Sequence, residues 1–201
     1  MLPSLEELLR ECENLHGHIC PGQVLGARMA VSGCNLIEIR DPRGADRKKL
    51  IVWVEVDRCM TDAVSAVTGV RLGRRSLKYL DYGKVAATFL NTETGRAVRL
   101  AAHDSSRALA DALYASLPGK KERQMLAYRE ASEAELFKIE AVTVDFKETD
   151  APGRPRVRVT CESCLEGVND GRETSGQNGE VLCRPCAVGA YYKVLEAGEN
   201  S

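Results

Sequence analysis

Two groups of residues in this chain have the types and spacing to hold a metal ion. The first is His16-Gly17-His18-Ile19-Cys20-Pro21-Gly22, which brings together two of the chain's three histidines and one of its eight cysteines. Imidazole nitrogen and thiolate sulfur are the ligands that zinc and related soft metals prefer. In an extended segment His16, His18 and Cys20 would turn to one face, because side chains there repeat every two residues. The plain alternative is a turn with three polar surface residues. The second group is Cys161-Glu162-Ser163-Cys164 and Cys183-Arg184-Pro185-Cys186, two C-x-x-C pairs separated by 18 residues. That is the spacing of a Cys₄ zinc site, in which four thiolates leave no position for a substrate and the metal is structural. Two redox pairs or a disulfide knot are the alternatives.

The elements needed to position these groups can be read from the pattern. Pro21 suits the first position of a helix, since it has no N–H to lose, so Cys20 falls at a helix N-terminus where partial positive charge favours a thiolate. Leu50 to Asp57 is β-branched and nearly continuously apolar, the pattern of a central strand, and it runs straight into a helix that Thr61 or Asp62 can cap. Cys59 therefore lies at a strand-to-helix junction, the kind of place where functional groups converge in sheets of this type. The roughly 40 intervening residues fix no distance between Cys20 and Cys59. A first helix from Leu5 to about Asn14 begins with a Ser4–Glu7 capping box, and the second runs from Pro21 to about Cys34. Asn35 to Arg40 reads as a short extended piece and Gly69 to Gly83 as irregular. Lys84–Leu90 and Ala97–Ala101 form a hairpin across Asn91–Gly95. A helix from about Asp104 to Leu117, a charged solvated helix from Lys120 to Ser132 and a strand from Ile139 to Phe146 follow. Asp150 to Pro155 is the best linker. The expectation is an α+β chain: a mixed sheet flanked by helices over residues 1–150, then a small Cys₄ zinc finger over 151–201. The finger is read as a turn-rich ββα module whose helix spans Ala187 to Leu195, and a metal would supply the folding energy that so few residues cannot.

Composition narrows the classes. The chain has 201 residues, 44% of them hydrophobic, and a formal net charge of −1. That balance gives no electrostatic reason to expect nucleic-acid binding. No apolar run reaches the ~18 residues of a membrane span, and the first residues carry neither a basic nor an apolar leader pattern. Together with the C-x-x-C spacing, this reads as a reduced, cytoplasmic protein. Cys12 and Cys34 fall on apolar helix faces and are read as core. His103, before a possible Asp104 N-cap, is left out of the metal site. Arg71, Arg74, Arg75 and Lys78, with Lys84, Arg96 and Arg99, are either a solvated face or a site for an anion.

His16-Gly17-His18-x-Cys20-Pro21-Gly22, Leu25-Gly26-x-Arg28-Met29-Ala30, Cys59-x-x-Asp62-Ala63 and Tyr82-Gly83-Lys84 resemble the FmdE family over about residues 10 to 100. The family is named after a gene beside those for molybdenum or tungsten formylmethanofuran dehydrogenase in methanogens. The tail resembles the treble-clef, zinc-ribbon-like module of some members. The resemblance implies a thioredoxin-like core, a homodimer, association with a formylmethanofuran dehydrogenase-type complex in one-carbon metabolism, and zinc or another transition metal in a cleft. It makes His16, His18, Cys20 and Cys59 the candidate ligands, with His18, Cys20 and Cys59 also the candidate reactive groups. It implies no established reaction.

Two classes of function compete. In one, the His/Cys cluster is an open site for chemistry or metal delivery, His18, Cys20 and Cys59 holding the ion and His16 either completing the set or supporting it. In the other, both metals are structural and the finger binds a partner or nucleic acid. A redox role for Cys20 and Cys59 is a third option, although the core has no C-x-x-C. The favoured expectation is a metal-binding accessory protein of molybdenum- or tungsten-enzyme metabolism.

Overall fold

The computed structural model describes residues 2–195. The chain divides into two compact units, residues 1–145 and 146–201.

The first unit is a five-stranded mixed sheet with helices packed on it. In chain order it comprises α1 (Leu5–His16), α2 (Pro21–Leu36), β1 (Leu50–Val54), α3 (Cys59–Thr68), β2 (Leu77–Tyr79), β3 (Ala86–Asn91), β4 (Ala97–Ala102), α4 (Ser105–Leu113), α5 (Lys120–Glu130), α6 (Glu133–Leu136) and β5 (Phe137–Val142). The sheet order is β2-β1-β3-β4-β5. β1 pairs parallel with β2, and the remaining pairs are antiparallel. Every residue of β3 is buried, as befits the middle strand. Arg99 on β4 grips the buried Glu55 carboxylate with two bonds of 2.7 and 2.8 Å, a charge-assisted pair that tolerates burial because both oxygens are satisfied.

Local chemistry explains the helix starts. Ser4 and Glu7 form the reciprocal capping box that opens α1. Cys20 is the N-cap of α2, with Pro21 first in the helix. α2 then crosses α3 at Gly26, where a methyl group would lie 2.5 Å from the Met60 carbonyl oxygen and 2.7 Å from the Ala63 Cβ. Only a residue without a side chain fits that crossing, and it draws the N-terminal ends of the two helices together. Arg28, further along α2, donates to the carbonyls of Tyr128, Arg129 and Ala131 at 2.9–3.0 Å, satisfying the open end of α5 and holding it against α2.

Several expectations change. α1 extends to His16 and α2 to Leu36, and the segment read as extended after α2 is instead a turn with Glu38 at φ 61°. The segment read as irregular contains β2, which has only three residues and gains its strand character by pairing with β1. α4 stops at Leu113. α5 is not wholly solvated, because Ala127 and Tyr128 are buried.

The second unit is two hairpins and a short helix: β6 (Arg158–Thr160) pairs with β7 (Gly167–Asn169), β8 (Glu173–Ser175) pairs with β9 (Val181–Cys183), and α7 is Arg184–Val188. The helix expected from Ala187 to Leu195 is corrected here. It starts three residues earlier and ends at Gly189, whose φ of 100° breaks the helical path. Among its described residues, Cys161, Asp170 and Cys183 are the buried ones, so it has almost no apolar core. No helix among the described residues is long and apolar enough to cross a membrane.

Candidate metal centres

In the second unit, Cys161 and Cys164 lie in the knuckle between β6 and β7, Cys183 ends β9, and Cys186 sits in the first turn of α7. Their four sulfurs lie within 4.8 Å of one another, with Cys164 Sγ and Cys183 Sγ 3.8 Å apart. Four sulfurs about 2.3 Å from a shared tetrahedral centre lie about 3.8 Å apart, so the spacing suits zinc. Backbone N–H groups of Cys164, Cys183 and Ser163 point at the Cys161 sulfur and hold its thiol down at about 6. The Cys183 N–H contact is 3.3 Å. A cluster of this kind in a unit without an apolar core fits a zinc finger.

The core group is assembled from three elements. His16 is the last residue of α1, Cys20 the N-cap of α2 and Cys59 the first residue of α3. One imidazole nitrogen of His16 and the sulfurs of Cys20 and Cys59 lie within 4.8 Å of one another. Both cysteines therefore meet the positive end of a helix, and the Gly26 crossing sets how closely those ends approach. Gly22 lies between them: a methyl group there would be 3.2 Å from the Cys59 Cβ and 3.7 Å from the Cys20 sulfur. Gln23, fully buried, donates to the Cys59 carbonyl at 2.8 Å and fixes the start of α3. Burial and the adjacent Cys20 sulfur raise the Cys59 thiol above its ordinary value.

His16 does not share its face with His18 as simple alternation would have it. Gly17 adopts a left-handed conformation, φ 89°, that ends α1 and turns the chain. His18 stands outside the three-residue group, exposed, its ring 4.7 Å from that of His16. The Nδ1 of His16 is 2.8 Å from Asp62 Oδ2. Its Nε2 is buried and has no hydrogen-bond partner among the described residues.

That orphaned nitrogen tests the fit of a metal. A buried ring nitrogen without a partner costs about 1–3 kcal/mol, and an ion coordinated between it and two sulfurs would remove the cost. A carboxylate on the opposite ring nitrogen is the arrangement that orients metal-bound histidines. The residues fit the group.

The sequence offers Asp62 two roles, a cap for α3 or, one turn after Cys59, a proton acceptor near the site, with the cap preferred; the structure places it beside the site. Arg58 occupies the N-cap position, Thr61 donates its hydroxyl to the Val56 carbonyl, and Asp62 reaches His16. Its place three residues after Cys59, on the same helix face, was the available signal. Gln23 was missed, and an amide within an apolar helix face was the clue. Cys12 and Cys34 are completely buried, as core packing requires. The basic group mostly has internal duties. Arg71 bonds the Ser65 and Val70 carbonyls, Arg96 pairs with Glu38, and Arg99 with Glu55. His103 is not among the clustered metal-group residues and lines a hollow with Lys84 and Asp104.

The comparisons with known proteins agree with this architecture. A curated relative from Archaeoglobus fulgidus, named "Probable S-adenosyl-L-methionine-binding protein", is 29% identical over 96% of this chain. This chain spans 56% of that protein's length, so it corresponds to about half of it. A tungsten formylmethanofuran dehydrogenase FmdE-like protein from Syntrophus aciditrophicus has the same fold, with a TM-score of 0.60 and 22% identity over 95% of this chain and 96% of that one. The family described as "FmdE, Molybdenum formylmethanofuran dehydrogenase operon" matches residues 15–145, which is more than half of the sequence and spans the core cluster. This chain belongs to the FmdE family.

Proposed function

We propose that this protein is a metal-binding accessory protein whose core centre is formed by His16, Cys20 and Cys59, and whose finger holds a structural zinc. Two observations carry the reading together: one imidazole nitrogen of His16 lies within 4.8 Å of two sulfurs, and the ring has Asp62 on Nδ1 and a buried Nε2 without a partner among the described residues. Three ligands make an open site, whereas four make a closed one. A metal bound here would act as a Lewis acid or make a bound water acidic near neutral pH. The chain's own contributions are specific. Asp62 orients the imidazole, Gln23 fixes the turn that presents Cys59, and Gly22 leaves room between the sulfurs. His18, its ring 4.7 Å from that of His16, is the nearby side chain that would supply a fourth ligand or a proton-transfer group in this reading.

Membership in a family described by a formylmethanofuran dehydrogenase operon supports a role beside a molybdenum or tungsten enzyme of one-carbon metabolism, as a homodimer or as part of that enzyme's complex. The cellular place consistent with this reading is the cytoplasm.

A second reading, a partner-binding protein with two structural metals, draws on the finger's exposed apolar tail. Val188, Tyr191 and Val194 are 84%, 100% and 83% exposed. The experiment that separates the two is metal analysis of the anaerobically purified full chain. The first reading requires about two ions per chain, falling to about one in Cys20→Ser, with the core ion of the unaltered protein able to accept an added ligand such as cyanide or azide. A core ion that takes no added ligand favours the second, and stoichiometry unchanged in Cys20→Ser rules out the core centre.

A further inference from the structure

A hollow of about 300 Å³ opens beside Cys59, between the start of α2, the start of α3 and the face of α5 that carries Tyr128. A second, of about 310 Å³, is lined by Lys84, His103 and Asp104 among others. The two share Leu25, Val85, Arg107 and Tyr128, so they are adjoining parts of one groove. Each alone is at the lower end of the size range of small-molecule sites.

The lining has two characters. Its floor is apolar, built from Leu25, Met60, Val85 and the ring of Tyr128, which Arg28 holds in place through the end of α5. Its rim is basic: Arg58, Lys84, Arg107 and Lys120 are all exposed, and none makes a side-chain hydrogen bond or ion pair with another described residue. Arg28, Arg71 and Arg99, elsewhere in the unit, are all held by carbonyls or carboxylates. Among the described lining residues Asp104 is the one carboxylate, against four cations. Like charges gathered around a low-dielectric floor repel one another and focus a positive field into the groove. A bound anion removes that repulsion, and an apolar body on the same molecule covers the floor.

We infer that this groove binds the substrate of the core centre and that the substrate is a small organic anion, a carboxylate or phosphate ester with an apolar body. Its charged group lies against Arg107 and Lys120, and its body lies along Leu25 and Val85 with one end at Cys59. This rests on the core centre proposed above only for the statement of which end meets it. The basic rim and apolar floor stand without it.

The test uses the whole 201-residue chain, metal-loaded, and four probes of similar size: phenyl phosphate, phenylacetate, benzyl alcohol and benzylamine. Affinities are measured by titration calorimetry, and contacts by methyl NMR at Leu25 and Val85. At least one anion is expected to bind at least about tenfold more tightly than benzyl alcohol, the equivalent of about 1.4 kcal/mol, and benzylamine is expected to bind most weakly. Whether phenyl phosphate or phenylacetate binds better identifies the charged group. In Arg107→Ala/Lys120→Ala, two exposed positions, affinity for the anion should fall about tenfold with benzyl alcohol unchanged and metal content intact. Equal affinity for anion and alcohol, or an unaffected double variant, overturns the inference. Metal content of the same samples keeps the two ideas apart. Anion selectivity in protein that never holds a core metal supports the groove and rejects the centre. A core metal without anion selectivity does the reverse.

Discussion

Replacing Gly26 by Ala tests whether the α2–α3 crossing sets the geometry of the core cluster. The added methyl would lie 2.5 Å from the Met60 carbonyl oxygen, 2.7 Å from the Ala63 Cβ and 2.9 Å from the Met60 Cα, where ordinary contact begins at 3.4 Å. Two of these three atoms are backbone, so no rotamer change relieves the clash. The helices must separate locally by about 0.9 Å, the difference between 3.4 and 2.5 Å. Overpacking of this kind costs about 1–3 kcal/mol, partly offset by the roughly 1 kcal/mol that Ala gains over Gly in a helix. At about 2–4 °C per kcal/mol for a chain of this size, the melting temperature should fall by up to about 8 °C. The greater effect should be on metal. Coordination distances tolerate only about 0.2 Å, so moving Cys59 relative to Cys20 should empty the core site while the finger keeps its ion. Thermal unfolding and metal analysis are run together, with Gly73→Ala as control, since a methyl there has nothing within 4 Å. Full core metal and an unchanged melting temperature in Gly26→Ala would refute the reasoning.

Asp62→Asn should weaken metal binding at the core about 10–100-fold without unfolding the protein, because the imidazole loses its orienting carboxylate; competition with a chromophoric chelator measures it, and unchanged affinity speaks against Asp62 as the supporting group. Burial pushes the Cys12 thiol up to about 11 and that of Cys34 up to about 12. Their thiolate fractions at pH 8 are therefore on the order of one in a thousand or less, and iodoacetamide followed by mass spectrometry should leave both unmodified until denaturant is added. Since both folded-state values lie above the ordinary 9.0, the stability they contribute is complete below about pH 9 and is lost as pH rises toward 11–12, so the alkaline unfolding midpoint should move upward in Cys34→Ala relative to its own stability at pH 7. Chelation should unfold the finger, residues 146–195, because its metal supplies folding energy of about 10–16 kcal/mol and little apolar core remains without it; backbone NMR of the chain reads this out, and a finger that keeps its dispersed signals without metal contradicts it.

What could be read from the sequence was whatever short-range chemistry decides. Ser4 and Glu7 lie three residues apart, and their capping box forms without help from the rest of the fold. Pro21 marks the start of α2 for the same reason, and the two C-x-x-C pairs carry their own spacing. What depended on distant partners was harder to see. β2 is a strand because it lies beside β1. Asp62 satisfies a cap pattern on paper, yet His16, forty-six positions away, takes its carboxylate. The early histidines were expected to alternate as in a strand, but one left-handed glycine between them sends His16 inward and leaves His18 outside. The packing of α5 against α2 rests on the Arg28 contacts to the end of α5, which span about a hundred residues of chain.

The most direct measurement is zinc-edge X-ray absorption on the anaerobically purified, zinc-loaded full chain. The finger offers four sulfurs, and the core group two sulfurs and one imidazole. Two occupied sites therefore average three sulfurs per zinc, with imidazole scattering in the spectrum and some coordination by nitrogen or oxygen. That is the result the proposed centre requires. Four sulfurs per zinc with no imidazole signal, at one zinc per chain, would mean that His16, Cys20 and Cys59 hold no metal.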